Sequence, residues 1–555
     1  MMTFRKLSAD GAGKLIMAYL REHQMDAAPG AEASPGSGQE NGGRLNNYYT
    51  GREGRGDWGP DIGPLAARAL GIDLTAPPSD EALCNLFEAK RADTGEEWHD
   101  IEGDKTTKQA GRKAGGRKRT ISGFDFTASP DKSVTLAAEF ASTKAEQALI
   151  WHAIHTANDR ALRLIAAELG WARRMVNGVQ IDEQGEVGWV SFRHYAARPA
   201  MQIQDGASGP TASVEIPVPG DPQAHIHNIL LNMVATADGH VGSLDSARIT
   251  KTMPHIFGAY FQAQLAQLLR ELGIKVSIDA RGRAIVIDDI PKEVCEAFSK
   301  RSKQAEKQAK AFVARQGGDW KTMSADQKFK VLHQANLAYR AKKYTGSNDR
   351  EIWREQADEL GWKHTTSLTD AVYATKTDAE RFEEAYAIAA RLVAEDFKSS
   401  AVLDLDVLRM HAAHGLIAAG IHEADDMDHV RDMILQRGVV LEGEQTSLVV
   451  QTLHGRQRVT SQFQISVEKE FSELVALAAR NTDGALSRDA LQRAIEASGL
   501  DFDREPDHGR AQLAAIYGLG LSGRLGFLTG AAGSGKTALL SPLVTAWKEE
   551  GRQVI

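Results

Sequence analysis

The run from Ala224 to Val234, AHIHNILLNMV, constrains the fold more than any other stretch of this chain. It reads as an apolar strand, yet it carries His225 and His227 two residues apart. Side chains alternate across a sheet, so both imidazoles emerge on one face and can share a metal ion. Either histidine alone would be an ordinary structural residue more often than a ligand. A third ligand is available in His194, within FRHY at the end of the preceding strand, and short connections favour adjacency of the two strands. Three neutral imidazoles with open coordination positions make a site that can polarise a phosphoryl oxygen.

The neighbouring segments supply the rest of a sheet and its cover. In Ile121 to Thr127, ISGFDFT, alternation sends Phe124 and Phe126 one way and Asp125 and Thr127 the other, and Pro130 ends the strand. The run KSVTLAAEF follows, then a helix from about Thr143 to Leu169 with Ile150, Ile154, Ala157, Ala161 and Ile165 at helical spacing. His152 and His155 lie off that apolar stripe and read as surface residues. Val187 to Tyr195 reads as a strand, and a second helix opens after Pro254 and stops at Gly273, burying Phe257, Phe261, Leu265, Leu268 and Leu272. The pattern predicts an α+β domain, an antiparallel sheet covered by helices.

At 555 residues the chain is long enough for three to four domains. Its composition, 42% hydrophobic and 25% charged with 16 Pro, excludes a mainly disordered or collagenous protein. The formal net charge of −8 argues against a globally basic coat, so nucleic-acid contacts have to come from local patches. Lys105 to Thr120, KTTKQAGRKAGGRKRT, is such a patch; solvated loop is the common fate of a charge run, but its place before the strand carrying Asp125 favours phosphate binding. Pro29 to Gly43 reads as a solvated loop. Two cysteines, Cys84 and Cys295, give neither a disulfide framework nor a cysteine metal site and suit a reducing cytosol. No apolar run reaches membrane-spanning length, so the expectation is a cytoplasmic protein without membrane insertion. The expected divisions are a domain over 1–310, a helical DNA-clamping or linker region over 311–395, a small accessory module over 396–466 and a last unit over 467–555.

A metal and a basic loop near a phosphodiester still need a nucleophile. Tyr48 and Tyr49, in NNYYTG after the flexible loop, are the best candidates, with Tyr19 a further one. A phenol with a pKa near 10 attacks at neutral pH only if a base or a metal's field draws its proton away. Asp125 fits there, as that base or as the group orienting a metal-bound histidine.

These pieces, NNYYTGREGRGDW, GFDFTASPDKSV, FRHY, DPQAHIHNILLN and AFSKRS, occur in an order that resembles the conjugative relaxases of the MobF type (TrwC/TraI-like), within the HUH endonuclease superfamily. The resemblance spans about the first three hundred residues. It implies an HUH or palm-like relaxase domain and a divalent metal (Mg²⁺, Mn²⁺ or Zn²⁺) held by His194, His225 and His227. It also implies an assisting Asp125 and a tyrosine that cuts one DNA strand at a plasmid transfer origin, with single-stranded DNA, conjugative secretion and accessory DNA-processing proteins as partners. The family often carries two tyrosine pairs, whereas Ala18-Tyr19-Leu20 here holds one tyrosine, which moves the expected nucleophile to Tyr48. The stretch between FRHY and DPQAHIH is longer than the family's usual link and is expected to be a surface excursion. Other readings are a rolling-circle replication initiator, or a DNA motor or accessory DNA-binding protein with an inactive nuclease domain.

A second signal is Gly530-Ala531-Ala532-Gly533-Ser534-Gly535-Lys536-Thr537, a full G-x-x-x-x-G-K-T after the apolar run Gly526 to Thr529, read as a strand, and before a helix. Backbone N–H groups of such a loop cradle phosphates, Lys536 reaches the β/γ oxygens and Thr537 meets Mg²⁺, which predicts ATP with Mg²⁺ bound through Gly530, Gly533, Gly535, Lys536 and Thr537. In the relaxases it resembles, a superfamily 1 helicase follows the nicking domain. The loop therefore reads as the start of an incomplete α/β RecA-like motor in a truncated chain. Residues after about Ser466 are expected to pack poorly, and the chain to nick DNA without unwinding a duplex.

Overall fold

The computed structural model describes residues 2–9, 56–98, 121–176, 179–196, 220–279, 281–299 and 349–554, except 371–372, 374–375, 504–505 and 532–533, with short pieces at 202–204, 211–213 and between 309 and 328. Two compact units result, Met1–Val440 with Thr452–Arg458, and Leu441–Gln451 with Val459–Ile555.

The first unit is built on a seven-stranded sheet: β1 (Met2–Ser8), β2 (Asp57–Trp58), β3 (Ile121–Ala128), β4 (Trp171–Val176), β5 (Val179–Ala196), β6 (Pro222–Thr236) and β7 (Val241–Gly242). The order is β1-β3-β6-β5-β2, with β4 paired to β5 and β7 to β6, and every described pairing is antiparallel. The three strands expected to carry the chemistry are thus the three in the middle. β5 begins at Val179, well before the expected Val187, because its outer end continues the ladder with β4 in residues that hydropathy does not mark, whereas β6 keeps close to the expected Ala224–Val234.

Alternation sorts the residues of the central strands. On one face Phe124, Phe126, Ser191 and Asn228 meet helices α4 (Lys144–Leu169) and α5 (Met253–Glu271). Phe126 lies edge-on to Phe257 with ring centroids 6.0 Å apart, and Asn228 exchanges hydrogen bonds with Asn158 at 2.8 and 3.2 Å. Thr143 caps the start of α4 by accepting from the Glu146 N–H, and Pro254 sits in the first turn of α5, where its missing N–H costs nothing. Burial of Phe124, Phe126, Phe257 and Phe261, all fully covered, contributes about 1.5–3 kcal/mol each. The other face is partly covered by α1 (Pro64–Leu70) and α2 (Asp80–Phe87), Phe87 lying 6.3 Å from Phe192. Gly188 is required here, since a Cβ would stand 2.3 Å from the Leu70 Cδ1 atom.

KSVTLAAE proves to be a short helix, α3 (Lys132–Glu139), started by Asp131, whose carboxylate accepts from the Ser133 N–H at 2.9 Å. It is buried almost throughout and so has no amphipathic period to read. After it come α6 (Lys292–Ala297), α7 (Asp349–Glu359), α8 (Asp378–Phe397), α9 (Leu405–Ala419) and α10 (Asp425–Arg437). Thr377 and Glu380 form a reciprocal capping box at the start of α8, and Arg381 ties that helix to α10 through Asp426 at 2.7 Å. No described helix is long and apolar enough to cross a membrane.

In the second unit, α11 (Gln462–Arg480), α12 (Arg488–Ala497), α13 (Pro506–Leu521) and α14 (Lys536–Glu549) follow one another. The expectation of poor packing after Ser466 is corrected: Leu486, Leu491, Ile495, Ile516, Leu539, Leu543 and Ala546 form a hydrophobic core of their own. It does describe α11, which buries no residue and exposes Phe471, Leu474 and Leu477. The strand expected over Gly526 to Thr529 is not formed, and Phe527 is 75% exposed. A strand needs a ladder partner, and the described residues flanking this one are helices.

Candidate metal centre

β5 and β6 pair so that His194 stands directly opposite His225, and Phe192 opposite His227; β3 and β6 pair so that Thr127 stands opposite His227. Cross-strand partners share a face, so the register alone brings His194, His225, His227, Asp125 and Thr127 to the side away from α4 and α5. The three imidazoles lie with ring centroids 4.8 to 5.3 Å apart, and one ligand atom of each falls within 4.8 Å of the others. His194 and His227 are buried, while His225 is partly open.

The hydrogen bonds around the rings decide which nitrogen faces inward. Asp125 Oδ2 lies 2.8 Å from His227 Nδ1, and a carboxylate accepts, so Nδ1 carries the proton and Nε2 keeps its lone pair. Thr127 Oγ1 donates to Asp125 Oδ1 at 3.1 Å and fixes that carboxylate. His225 Nδ1 donates to the Gln223 carbonyl at 3.0 Å, which leaves its Nε2 as the available ligand. This donor set, three imidazoles of which His225 and His227 have their outer nitrogens engaged, fits a divalent cation with open positions. Asp125 therefore contacts His227 directly, on the ring nitrogen away from the cluster.

The structure therefore brings His194, His225, His227 and Asp125 together. Tyr19, Tyr48, Tyr49, Gly533 and the basic segment 105–120 lie outside the described residues. His155, expected at the surface, is buried beside Trp151 with ring centroids 5.8 Å apart, and burial holds its pKa well below the ordinary histidine value. It lies on the helix side of the sheet, so that correction leaves the metal site unchanged. Thr127 and the Gln223 carbonyl were not singled out from the sequence. Alternation had already put Thr127 on the Asp125 face, whereas nothing in a sequence marks a backbone carbonyl.

In the second unit Lys536 opens α14 and its Nζ donates to the Gly530 and Ala531 carbonyls, each at 2.7 Å. Gly535 takes φ 78°, a left-handed conformation that turns the chain into the helix, and Thr537 stands in the first turn.

Comparison with known proteins agrees with the first unit. The TrwC relaxase family model matches residues 15–360, more than half of the chain. Similar solved structures include the conjugative relaxase TrwC in complex with OriT DNA in metal-bound form, 22% identical, covering 65% of this chain and 99% of that one with a TM-score of 0.44. Another is TrwC with a 27-mer DNA comprising the recognition hairpin and the cleavage site, also 22% identical over 65% of this chain and 99% of that one, with a TM-score of 0.43. No curated protein matches. The family match runs through the sheet and its histidine site, and on that basis the chain belongs to the TrwC relaxase family, the site-specific DNA relaxases of conjugation.

Proposed function

We propose that this relaxase nicks single-stranded DNA at a transfer origin by tyrosine transesterification, with Tyr48 as nucleophile and His194, His225 and His227 as metal ligands. The observation that carries the reading is the three-imidazole cluster with Asp125 on the outer nitrogen of His227. A divalent cation held there supplies Lewis-acid polarisation of the scissile phosphoryl group. The Tyr48 hydroxyl loses its proton as its Oη attacks phosphorus, the P–O3′ bond breaks, and the departing oxygen takes up a proton as a 3′-hydroxyl. The product is a 5′-phosphotyrosine. Because a phosphodiester is exchanged for a phosphodiester, the reverse attack by a 3′-hydroxyl rejoins the strand. Asp125 and Thr127 keep the His227 ring oriented through the cycle, while conjugative secretion and accessory DNA-processing proteins act as partners. The test is covalent capture on a suicide oligonucleotide carrying the origin: an adduct that forms with Mn²⁺ and not with a chelator is expected, and its failure to form with metal present would remove the proposal.

Backbone binding is assigned to the basic segment. Neutralising Arg112, Lys113, Arg117, Lys118 and Arg119 is expected to weaken single-strand binding and to flatten the slope of log affinity against log salt by about 0.7 for each phosphate that is no longer neutralised. An unchanged slope would return the segment to ordinary solvated surface.

For the second unit we propose binding of ATP with Mg²⁺ at Gly530 to Thr537, as the opening of a helicase-type motor. Support comes from the motif and from Lys536 at the start of α14. Lys536→Ala is expected to abolish retention of a fluorescent ATP analogue while nicking continues at the wild-type rate, read by fluorescence anisotropy and by oligonucleotide cleavage.

A further inference from the structure

Lys132 lies far from the histidines in sequence and is the first residue of α3, just beyond the strand that carries Asp125. Its Nζ donates to the carbonyl of Pro222, the first residue of β6. One turn further along α3, Thr135 Oγ1 accepts from the Ala224 N–H at 3.1 Å. Between those two anchored residues sits Gln223, whose carbonyl accepts from His225 Nδ1 at 3.0 Å. Its side chain reaches back to the Pro130 carbonyl, and Trp353 on α7 donates to the Gly220 carbonyl at 2.9 Å. The peptides that aim the His225 ring are therefore clamped on both sides from α3. Pro222 also pairs across the sheet with Ala196, two residues beyond His194, at the point where the β5-β6 register shifts. One ammonium thus braces the ends of both ligand-bearing strands.

An ammonium is a costly group to place here. Burial pushes its pKa down to about 8, against the opposing pull of Asp221, Cys295 and Asp131, and burial likewise pushes the Cys295 thiol up to about 12. An apolar residue at this position would fill the space without that cost, but it would leave the Pro222 carbonyl without its donor.

We infer that Lys132 is a positioning residue of the metal centre, acting through the Pro222–Ala224 backbone to aim His225. The inference rests on the assignment of His194, His225 and His227 as metal ligands. Outer partners of metal ligands are typically worth 10–100-fold in metal affinity, so Lys132→Met is expected to weaken Mn²⁺ binding by about that factor. At saturating Mn²⁺ the nicking rate recovers, and Lys132→Arg, which keeps a charged donor, binds Mn²⁺ within about threefold of wild type.

The experiment is calorimetric titration of the full chain with Mn²⁺ alone, beside thermal melts of the metal-free proteins. Leu269→Ala, in the core of α5, serves as a control that is destabilised away from the site. Wild-type Mn²⁺ affinity in a folded Lys132→Met chain would overturn the inference, as would an equal loss in Leu269→Ala. Should the Met variant fail to fold, Lys132→Gln takes its place with the same two readings. Absence of Mn²⁺ binding by the wild-type chain would instead strike the histidine assignment itself.

Discussion

His227→Ala and His225→Ala are each expected to lower metal-dependent nicking by more than about 100-fold while single-stranded DNA still binds. Outer partners of a metal ligand are worth 10–100-fold, and removing the ligand itself exceeds that. In the proposed site His227 would offer the metal its Nε2 lone pair while Asp125 holds the opposite nitrogen, and alanine would remove both contacts. DNA affinity survives because it is assigned to charges elsewhere, which act on the phosphate backbone without the cation. Single-turnover cleavage of a labelled oligonucleotide, with metal content measured on the same sample, checks it. Wild-type cleavage by either variant with metal still bound would end the assignment.

Tyr48→Phe is expected to eliminate the covalent protein–DNA adduct while melting temperature and DNA affinity stay at wild-type values. Only a hydroxyl is removed, and no other oxygen in that side chain can attack phosphorus. Peptide mapping of the adduct formed by the unaltered chain gives the complementary reading. An adduct on Tyr19 or Tyr49 would move the nucleophile and leave the reaction class standing.

The centre of the sheet was legible because successive side chains of a strand point to opposite faces whatever their hydropathy. Residue parity put Asp125 with Thr127 and His225 with His227, and the observed register places the two pairs together. Parity said less about the outer reaches. The first half of β5, Val179 to Glu186, is exposed or only partly buried along its pairing with β4, so it offers no apolar signal. His155 was misjudged for a related reason. α4 is buried over a broad arc by both the sheet and α5, and that arc takes in Asn158 and His155 as well as the aliphatic stripe. The run Gly526 to Thr529 misled in the opposite direction, since its strand reading came from its apolar residues and not from any pairing partner. Lys132, within the run KSVTLAAEF, carried no expected role, because a contact with a carbonyl ninety positions away leaves no local trace.

Asn228 sits between the two ligand strands on the helix side, held by Ser191 at 2.8 Å and by Asn158 of α4. Sliding β6 by one residue against β5 would carry His225 and His227 into the helix layer and strand that asparagine among the wrong groups. Alignment of the ligands is thus verified from behind, by a polar latch with its back to the DNA-cutting chemistry.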